Sequence, residues 1–178
     1  MKLFIYCLVI ITMWGCSKQE PSQRSPTTIE PLPVLPDWPN AESMKDTVDI
    51  ARMLDIIYQL ESSSGANCEA RFEPGFLARY GNNPPMPKLR RLFGDKAAAS
   101  SYSCYQIMIC TAWTHDFRYS PEQLSNESNA KIVAEYLIQL YATKYSDLLI
   151  RDRIHKIFKR YNGSDEYAIK ASKLYFDE

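Results

Sequence analysis

The sequence predicts a mainly α-helical domain over residues 41–178, and three observations support this. Apolar residues between 128 and 145 recur at three- and four-residue spacing, which is the period of an amphipathic helix. The pair Ser120-Pro121 just upstream is a helix-start signal. A sustained alternation of apolar and polar residues, the signal of a sheet, is missing from the sequence, although residues 66–100 have room for a small β-hairpin or an irregular lobe.

The first helices follow from local signals. Asp46 or Thr47 is expected to cap a helix that runs to about Leu60. The short apolar segment from 103 to 113 is expected to form a second helix. The long helix over 128–145 should turn a broad apolar stripe inward, formed by Ile132, Val133, Tyr136, Leu137, Leu140 and Tyr141.

Two more helices close the chain. One is predicted over 147–160, and its inward residues are Leu148, Ile154, Ile157 and Phe158. The dipeptide Asn162-Gly163 is a strong turn signal, so it should break the chain before the next helix. The last helix carries the apolar residues Tyr167, Ala171, Leu174 and Tyr175.

The N-terminus predicts export. Lys2 precedes the apolar run 3–14, which is shorter than the roughly 20 residues of a membrane span but fits a signal peptide over 1–15. Gly15-Cys16 resembles the lipobox of bacterial lipoproteins, in which the cysteine becomes the lipidated N-terminus. An uncleaved anchor and a plain secretory signal are the alternatives. Each of these readings places the rest of the chain outside the cytoplasm.

Residues 17–40 read as a tether. They are rich in proline, with Ser, Thr and Gln between, which favours an extended spacer over a packed element. We therefore expect a periplasmic domain held at a membrane through lipid on Cys16. Ser17 stands where an Asp would indicate inner-membrane retention, so the outer membrane is mildly preferred by analogy with bacterial lipoproteins.

Composition excludes some classes of function. The chain has 21 basic and 21 acidic residues, so it shows no global preference for nucleic acid. His115 and His155 are its 2 histidines, and no clustered ligand spacing predicts a metal site. An exported domain can form one disulfide among Cys68, Cys104 and Cys110, but the sequence does not determine which pair, and Cys104 and Cys110 can equally be buried and reduced.

Glu61 is the strongest candidate for a chemical role. Leu54, Ile57 and Tyr58 share its helical face, so its carboxyl should lie beside apolar side chains. Desolvation raises the pKa of a carboxyl, and an acid that keeps its proton near neutral pH can protonate a leaving group. Ser62 to Gly65 then end the helix and should leave the carboxyl at the edge of a cleft. The alternative is an ordinary carboxylate at a helix end.

Four separate segments of the chain resemble, in their order and spacing, the motifs of the catalytic domain of lytic transglycosylases. These are lysozyme-like enzymes related to goose-type lysozyme. The family's Glu-Ser motif corresponds to Glu61-Ser62, and its Gly-Leu-Met-Gln-Ile-Met motif corresponds to Ser103 to Met108. Its long helix with an Asn and a Tyr-Leu pair corresponds to Asn129 with Tyr136-Leu137, and its Ala-Tyr-Asn-Gly motif corresponds to Arg160 to Gly163. The segments 71–76 and 167–171 also resemble family segments, so the resemblance covers roughly 48–176. Ser103-Cys104-Tyr105 departs from the usual Gly-Leu-Met, which puts substrate preference in doubt more than the chemistry.

The resemblance implies a lysozyme-like fold and cleavage of peptidoglycan between N-acetylmuramic acid and N-acetylglucosamine, with 1,6-anhydro ends as product. Glu61 would be the general acid and then the base, and neither a metal nor a cofactor is needed. The residues implied in substrate binding or orientation are Ser62, Gln106, Met108, Tyr161 and Asn162. Helix capping and turn formation are the structural alternatives for Ser62 and for Tyr161-Asn162, and a capping or core amide is the alternative for Gln106.

Two other functions stay open. A second carboxylate, Glu73 or Glu69, would permit an inverting hydrolysis with an activated water, as in a lysozyme. A wall-binding lipoprotein without catalysis is the third reading. The expected partners are glycan strands, a membrane through the lipid and an envelope-machinery protein. The sequence leaves undetermined the endo or exo mode, the biological setting and the oligomeric state.

Overall fold

The computed structural model describes residues 47–177, and eight helices hold 66% of that part of the chain. The mainly α prediction is therefore confirmed. The helices are α1 (Ile50–Ser62), α2 (Pro74–Tyr80), α3 (Met86–Ala98), α4 (Ile109–Thr114), α5 (Pro121–Ser125), α6 (Glu127–Lys144), α7 (Ile150–Asn162) and α8 (Asp165–Phe176). The predicted signal peptide, Cys16 and the tether lie outside the described residues. Between residues 47 and 177, no helix has both the length and the apolar character that crossing a bilayer requires.

Helices α1, α6, α7 and α8 form the main part of the core, to which α3, α4 and α5 also contribute buried residues. Helix α1 packs on α6 and α8, and α7 packs on α6 and on α8. As predicted, Ile154, Ile157 and Phe158 of α7 face inward, and all three are fully buried. Burying side chains of this size is worth about 1.5–3 kcal/mol each, so these contacts fix how the ends of the helices meet.

Helix α1 begins two to three residues later than expected. Asp49, rather than Asp46 or Thr47, is the N-cap, and its carboxylate accepts a hydrogen bond from the backbone N–H of Arg52. Leu54 and Ile57 are buried and Tyr58 is half-buried, so the apolar face predicted beside Glu61 is present.

The predicted stripe on α6 is wrong in half of its members. Val133, Leu137 and Tyr141 are buried, whereas Ile132, Tyr136 and Leu140 are respectively 51%, 39% and 37% exposed. The small residues Ala130 and Ala134 are buried in their place, together with Ile138. Small side chains let the neighbouring helices approach closely, and this choice of face does not follow from hydrophobicity alone.

A small antiparallel sheet of order β1-β2-β3 is formed by Arg71–Phe72, Ser100–Tyr102 and Ile107–Met108. Residues 66–100 are otherwise mostly helical and do not contain a hairpin of their own, because two of the three strands lie at or beyond residue 100. The helix predicted over 103–113 is also wrong in its first half, because Ser103 and Gln106 have positive φ angles of 64° and 47°. These two residues form the β2–β3 turn, and only α4 beyond it is helical.

A disulfide between Cys68 and Cys104 links the loop after α1 to the β2–β3 turn, whereas Cys110 is a buried free thiol. Of the pairings that the sequence left open, the structure therefore selects one. The cross-link joins two loops that flank the C-terminal end of α1.

Replacing both Cys68 and Cys104 by Ser should lower the free energy of unfolding by about 2–4 kcal/mol, because the cross-link closes a loop spanning 36 residues. Urea unfolding with and without reductant measures this effect. Reductant should destabilise the wild type and leave the double variant unchanged. Equal stability of the wild type in both conditions would contradict the prediction.

Candidate active site

Glu61 lies in the last turn of α1, and its carboxylate is held from a distant part of the chain. The side-chain amide of Asn162 donates a hydrogen bond of 3.0 Å to Oε1 of Glu61. Asn162 is the last residue of α7, and Gly163 follows it with φ 92°, a left-handed conformation that favours glycine. The Asn-Gly pair therefore ends a helix and also directs the asparagine amide at the carboxylate.

The environment of Glu61 favours its protonated form. Burial among apolar groups raises the pKa of this carboxyl above its usual value of 4.5. The hydrogen bond from Asn162 opposes this shift, as do smaller effects of Tyr167 and Arg71, but desolvation is the largest influence and prevails. The shift predicted from the spacing of Leu54, Ile57 and Tyr58 thus has the direction expected of a general acid.

Tyr167 belongs to the site, although the sequence placed it only in the last helix and in a segment that resembles one of the family's. It lies in the first turn of α8, and its buried hydroxyl has no hydrogen-bond partner of good geometry among the described residues. The hydroxyl nevertheless lies close enough to Glu61 for the carboxylate to raise the pKa of Tyr167, adding to the larger effect of burial. The resemblance of the segment 167–171 to a family segment was the available signal.

Ser62 and Gly65 form the turn that ends α1. The Ser62 hydroxyl is fully buried, donates to the carbonyl of Tyr58 at 2.5 Å and accepts from the N–H of Gly65 at 2.7 Å. Ser63 adopts the left-handed conformation as C-cap. Gly65 has φ 92°, and a Cβ there would lie 2.6 Å from the Tyr58 hydroxyl. These contacts assign Ser62 to the turn, which was the structural alternative at this position.

The side chain of Gln106 stabilises the β2–β3 turn through hydrogen bonds. Its amide nitrogen donates to the carbonyls of Ser103 at 2.8 Å and Glu69 at 3.2 Å, and its oxygen accepts from the Ser101 hydroxyl at 2.7 Å. Both amide hydrogens are used within the protein, so only a lone pair on the oxygen is free for a ligand. The side chain also forms part of the wall of a cavity.

This cavity has a volume of about 270 Å³ and brings together several of the predicted residues. Gln106, Met108 and Tyr161 all line it. The Tyr161 hydroxyl donates to the carbonyl of Tyr105 at 2.9 Å, which joins the end of α7 to the β2–β3 turn. Burial raises the pKa of Tyr161, and the nearby Glu61 carboxylate contributes to that shift. Tyr161 therefore lines the cavity and is also close enough to Glu61 for the two groups to interact electrostatically.

The two predicted second carboxylates, Glu73 and Glu69, lie near Glu61. Glu73 is half-buried at the start of α2, and its charge makes a small contribution that raises the pKa of Glu61. Glu69 is exposed and lines a separate cavity of about 390 Å³ with Arg71, whose charge acts on Glu61 in the opposite direction. Of the two predicted second carboxylates, Glu73 is the one that influences Glu61.

No cluster of three metal-ligating side chains occurs within residues 47–177. The chain matches no family model, no curated protein and no solved structure. The chemical capacity of the site thus rests on its residues: one desolvated carboxyl, an amide that donates to it, a phenol close to it, and the cavity lined by the neighbouring Tyr161.

The raised pKa of Glu61 predicts a pH-dependent stability that Glu61→Gln removes. The folded state holds the proton more tightly than the unfolded chain does, so this contribution is fully present below about pH 4.5 and is lost as pH rises through the folded pKa. Urea unfolding of both proteins between about pH 4 and pH 8 measures it. We expect the stability of the wild type relative to Glu61→Gln to fall across that range.

Asn162→Ala provides a second variant for this test. It removes a hydrogen bond that favours the ionised form of Glu61, so the loss of stability should extend to higher pH than in the wild type. If the difference in unfolding free energy between the wild type and Glu61→Gln stays constant with pH, the pKa of Glu61 is not raised.

Proposed function

We propose that this chain is a peptidoglycan lytic transglycosylase with a lysozyme-like fold. It cleaves the bond between N-acetylmuramic acid and N-acetylglucosamine and leaves a 1,6-anhydro ring on the muramic acid. Glu61 is the general acid and then the general base. The observation that carries the proposal is the desolvated carboxyl of Glu61, hydrogen-bonded by Asn162 at the place where the sequence resembles the catalytic Glu of that family.

The reaction needs a single carboxyl. Protonated Glu61 gives its proton to the glycosidic oxygen as the bond to the anomeric carbon breaks. The resulting oxocarbenium-like centre is stabilised by the N-acetyl group of the sugar itself, as in substrate-assisted glycosidases. The C6 hydroxyl then attacks the anomeric carbon and returns its proton to Glu61, which regenerates the acid.

Asn162 and Tyr167 serve both halves of this cycle. The Asn162 amide stabilises the carboxylate that exists after the first proton transfer, and burial restores the acid by raising the pKa. The unpartnered hydroxyl of Tyr167 supplies a second donor when Glu61 is ionised. Tyr161 and Met108 contact the sugar from the cavity wall, and the oxygen of Gln106 accepts a hydrogen bond from a substrate hydroxyl or acetamido N–H.

A lysozyme-type hydrolase is the second candidate, and the position of Glu73 favours it. Its charge reaches Glu61, so a water held between the two carboxyls would be activated by Glu73. The products distinguish the two reactions, because hydrolysis leaves reducing ends and transglycosylation leaves anhydro ends.

The N-terminal segment completes the proposal. Cleavage before Cys16 and lipidation of its thiol would hold the domain at a membrane, with the outer membrane preferred, and residues 17–40 would let it reach periplasmic glycan strands. A protein of the cell-envelope machinery is the further partner that the family resemblance implies.

The decisive experiment is mass spectrometry of the soluble products that the full chain, purified in detergent, releases from peptidoglycan. We expect anhydro-muropeptides from the wild type and a loss of at least about 100-fold in rate with Glu61→Gln, since general acid catalysis contributes about 10²–10⁴-fold. Glu73→Gln is the matched control, because it removes a neighbouring carboxylate that the transglycosylase route does not need.

Reducing-end products that disappear in Glu73→Gln would establish the hydrolase instead. Full activity of Glu61→Gln would refute the role of Glu61. Absence of products from every protein, with intact binding to peptidoglycan, would favour a wall-binding lipoprotein.

A further inference from the structure

The cavity beside the candidate active site has a basic side that the chemistry at Glu61 does not use. Arg160 and His115 line it together with Gln106, Tyr161 and the hydroxyl-bearing Thr111. Among residues 47–177, no Asp or Glu side chain lines this cavity. Its residues from β3, α4, α6 and α7 therefore present hydrogen-bond donors and a positive charge without a compensating carboxylate.

Arg160 is the only lining residue that is always charged, and no ion pair neutralises it among the described residues. The adjacent residue on α7 differs in this respect, because Lys159 forms an ion pair with Asp165 at 2.6 Å. The Arg160 guanidinium lies 5.9 Å from the centre of the Tyr141 ring. Tyr141 orients the guanidinium, because its hydroxyl interacts with one of the N–H groups of Arg160. A guanidinium has five N–H donors, so the others can bind an anion.

The sequence marks the same residue. Arg160 precedes Tyr161 and Asn162 in the segment where the resembling family has Ala-Tyr-Asn-Gly. A long cation in place of a methyl group adds a feature that the reaction at Glu61 does not require. Arg160 is exposed and is adjacent in sequence to Tyr161, which lines the same cavity, so an anionic group of a substrate bound there would meet this cation.

We propose that Arg160, with His115 and Thr111 as further donors, forms a carboxylate subsite that selects anionic glycan strands. A guanidinium binds a carboxylate through two parallel N–H···O bonds, which gives direction as well as charge. The volume of about 270 Å³ suits one acidic substituent or one sugar ring rather than an oligosaccharide. The inference rests on the proposed function, because it assigns the substrate feature that this site recognises.

Two parts of peptidoglycan supply such a carboxylate. In peptide-free strands the lactyl group of muramic acid ends in a free carboxylate. In peptide-bearing strands that group is an amide, and the carboxylates belong to the stem peptide. The chemistry of binding is the same, so the two sources are separated by the ligand used in the test.

The test measures dissociation constants by calorimetry for the full chain carrying Glu61→Gln, which binds without turnover. The ligands are peptide-free strands, peptide-bearing strands and peptide-free strands whose carboxylates have been converted to amides. Adding Arg160→Ala should weaken binding of one anionic ligand by about tenfold or more and leave the amidated strands unaffected. Arg160→Lys should restore part of the affinity, because it keeps the charge and loses the bidentate geometry.

Arg91→Ala is the matched control, because it removes one exposed arginine from α3, which does not line the cavity. A loss confined to peptide-free strands identifies the lactyl carboxylate, and a loss confined to peptide-bearing strands identifies the stem peptide. Equal affinities with and without Arg160, or equal losses for Arg91→Ala, overturn the subsite. If binding depends on Arg160 but the wild-type chain releases no anhydro products, the proposed reaction is refuted and the subsite still stands.

Discussion

The hydrogen bond from Asn162 to Glu61 is the contact on which the site depends, because it joins two helix ends that are 101 residues apart in sequence. It exists only if α1 and α7 end at the same place, and the apolar faces of those helices enforce this. Ile57 of α1 and Phe158 of α7 are fully buried in the same core. The packing that stabilises the fold therefore also desolvates the carboxyl and raises its pKa.

The loops around this junction are held by contacts of a different kind. The disulfide between Cys68 and Cys104 and the hydrogen bond from Gln106 to the carbonyl of Glu69 fix the loop after α1 against the β2–β3 turn. These covalent and polar contacts add to the apolar packing of Tyr105, which lies in the β2–β3 turn and is buried in the core. Rigid loops on one side and packed helices on the other leave a cavity whose walls are set before any ligand arrives, which reduces the entropy lost on binding.

The proposed chemistry uses one group that its surroundings keep neutral and one group that stays charged. Glu61 lies where burial favours a neutral acid, and Arg160 lies where no carboxylate from the described chain neutralises it. A proton donor and an unpaired cation beside one cavity suit a substrate that carries both a basic leaving oxygen and an acidic substituent. Peptidoglycan strands have both features, so substrate chemistry connects the proposed reaction with the proposed subsite.

The sequence by itself determined the helical class, the apolar face behind Glu61 and the Asn-Gly turn, because all three follow from local spacing and backbone preference. Only the tertiary structure decided the buried face of α6, the pairing of Cys68 with Cys104 and the place of Tyr167 beside Glu61. Each of these depends on which distant elements come into contact. The sequence also predicted helix at Ser103 and Gln106, where left-handed backbone needed for a turn between strands overrode the local apolar pattern.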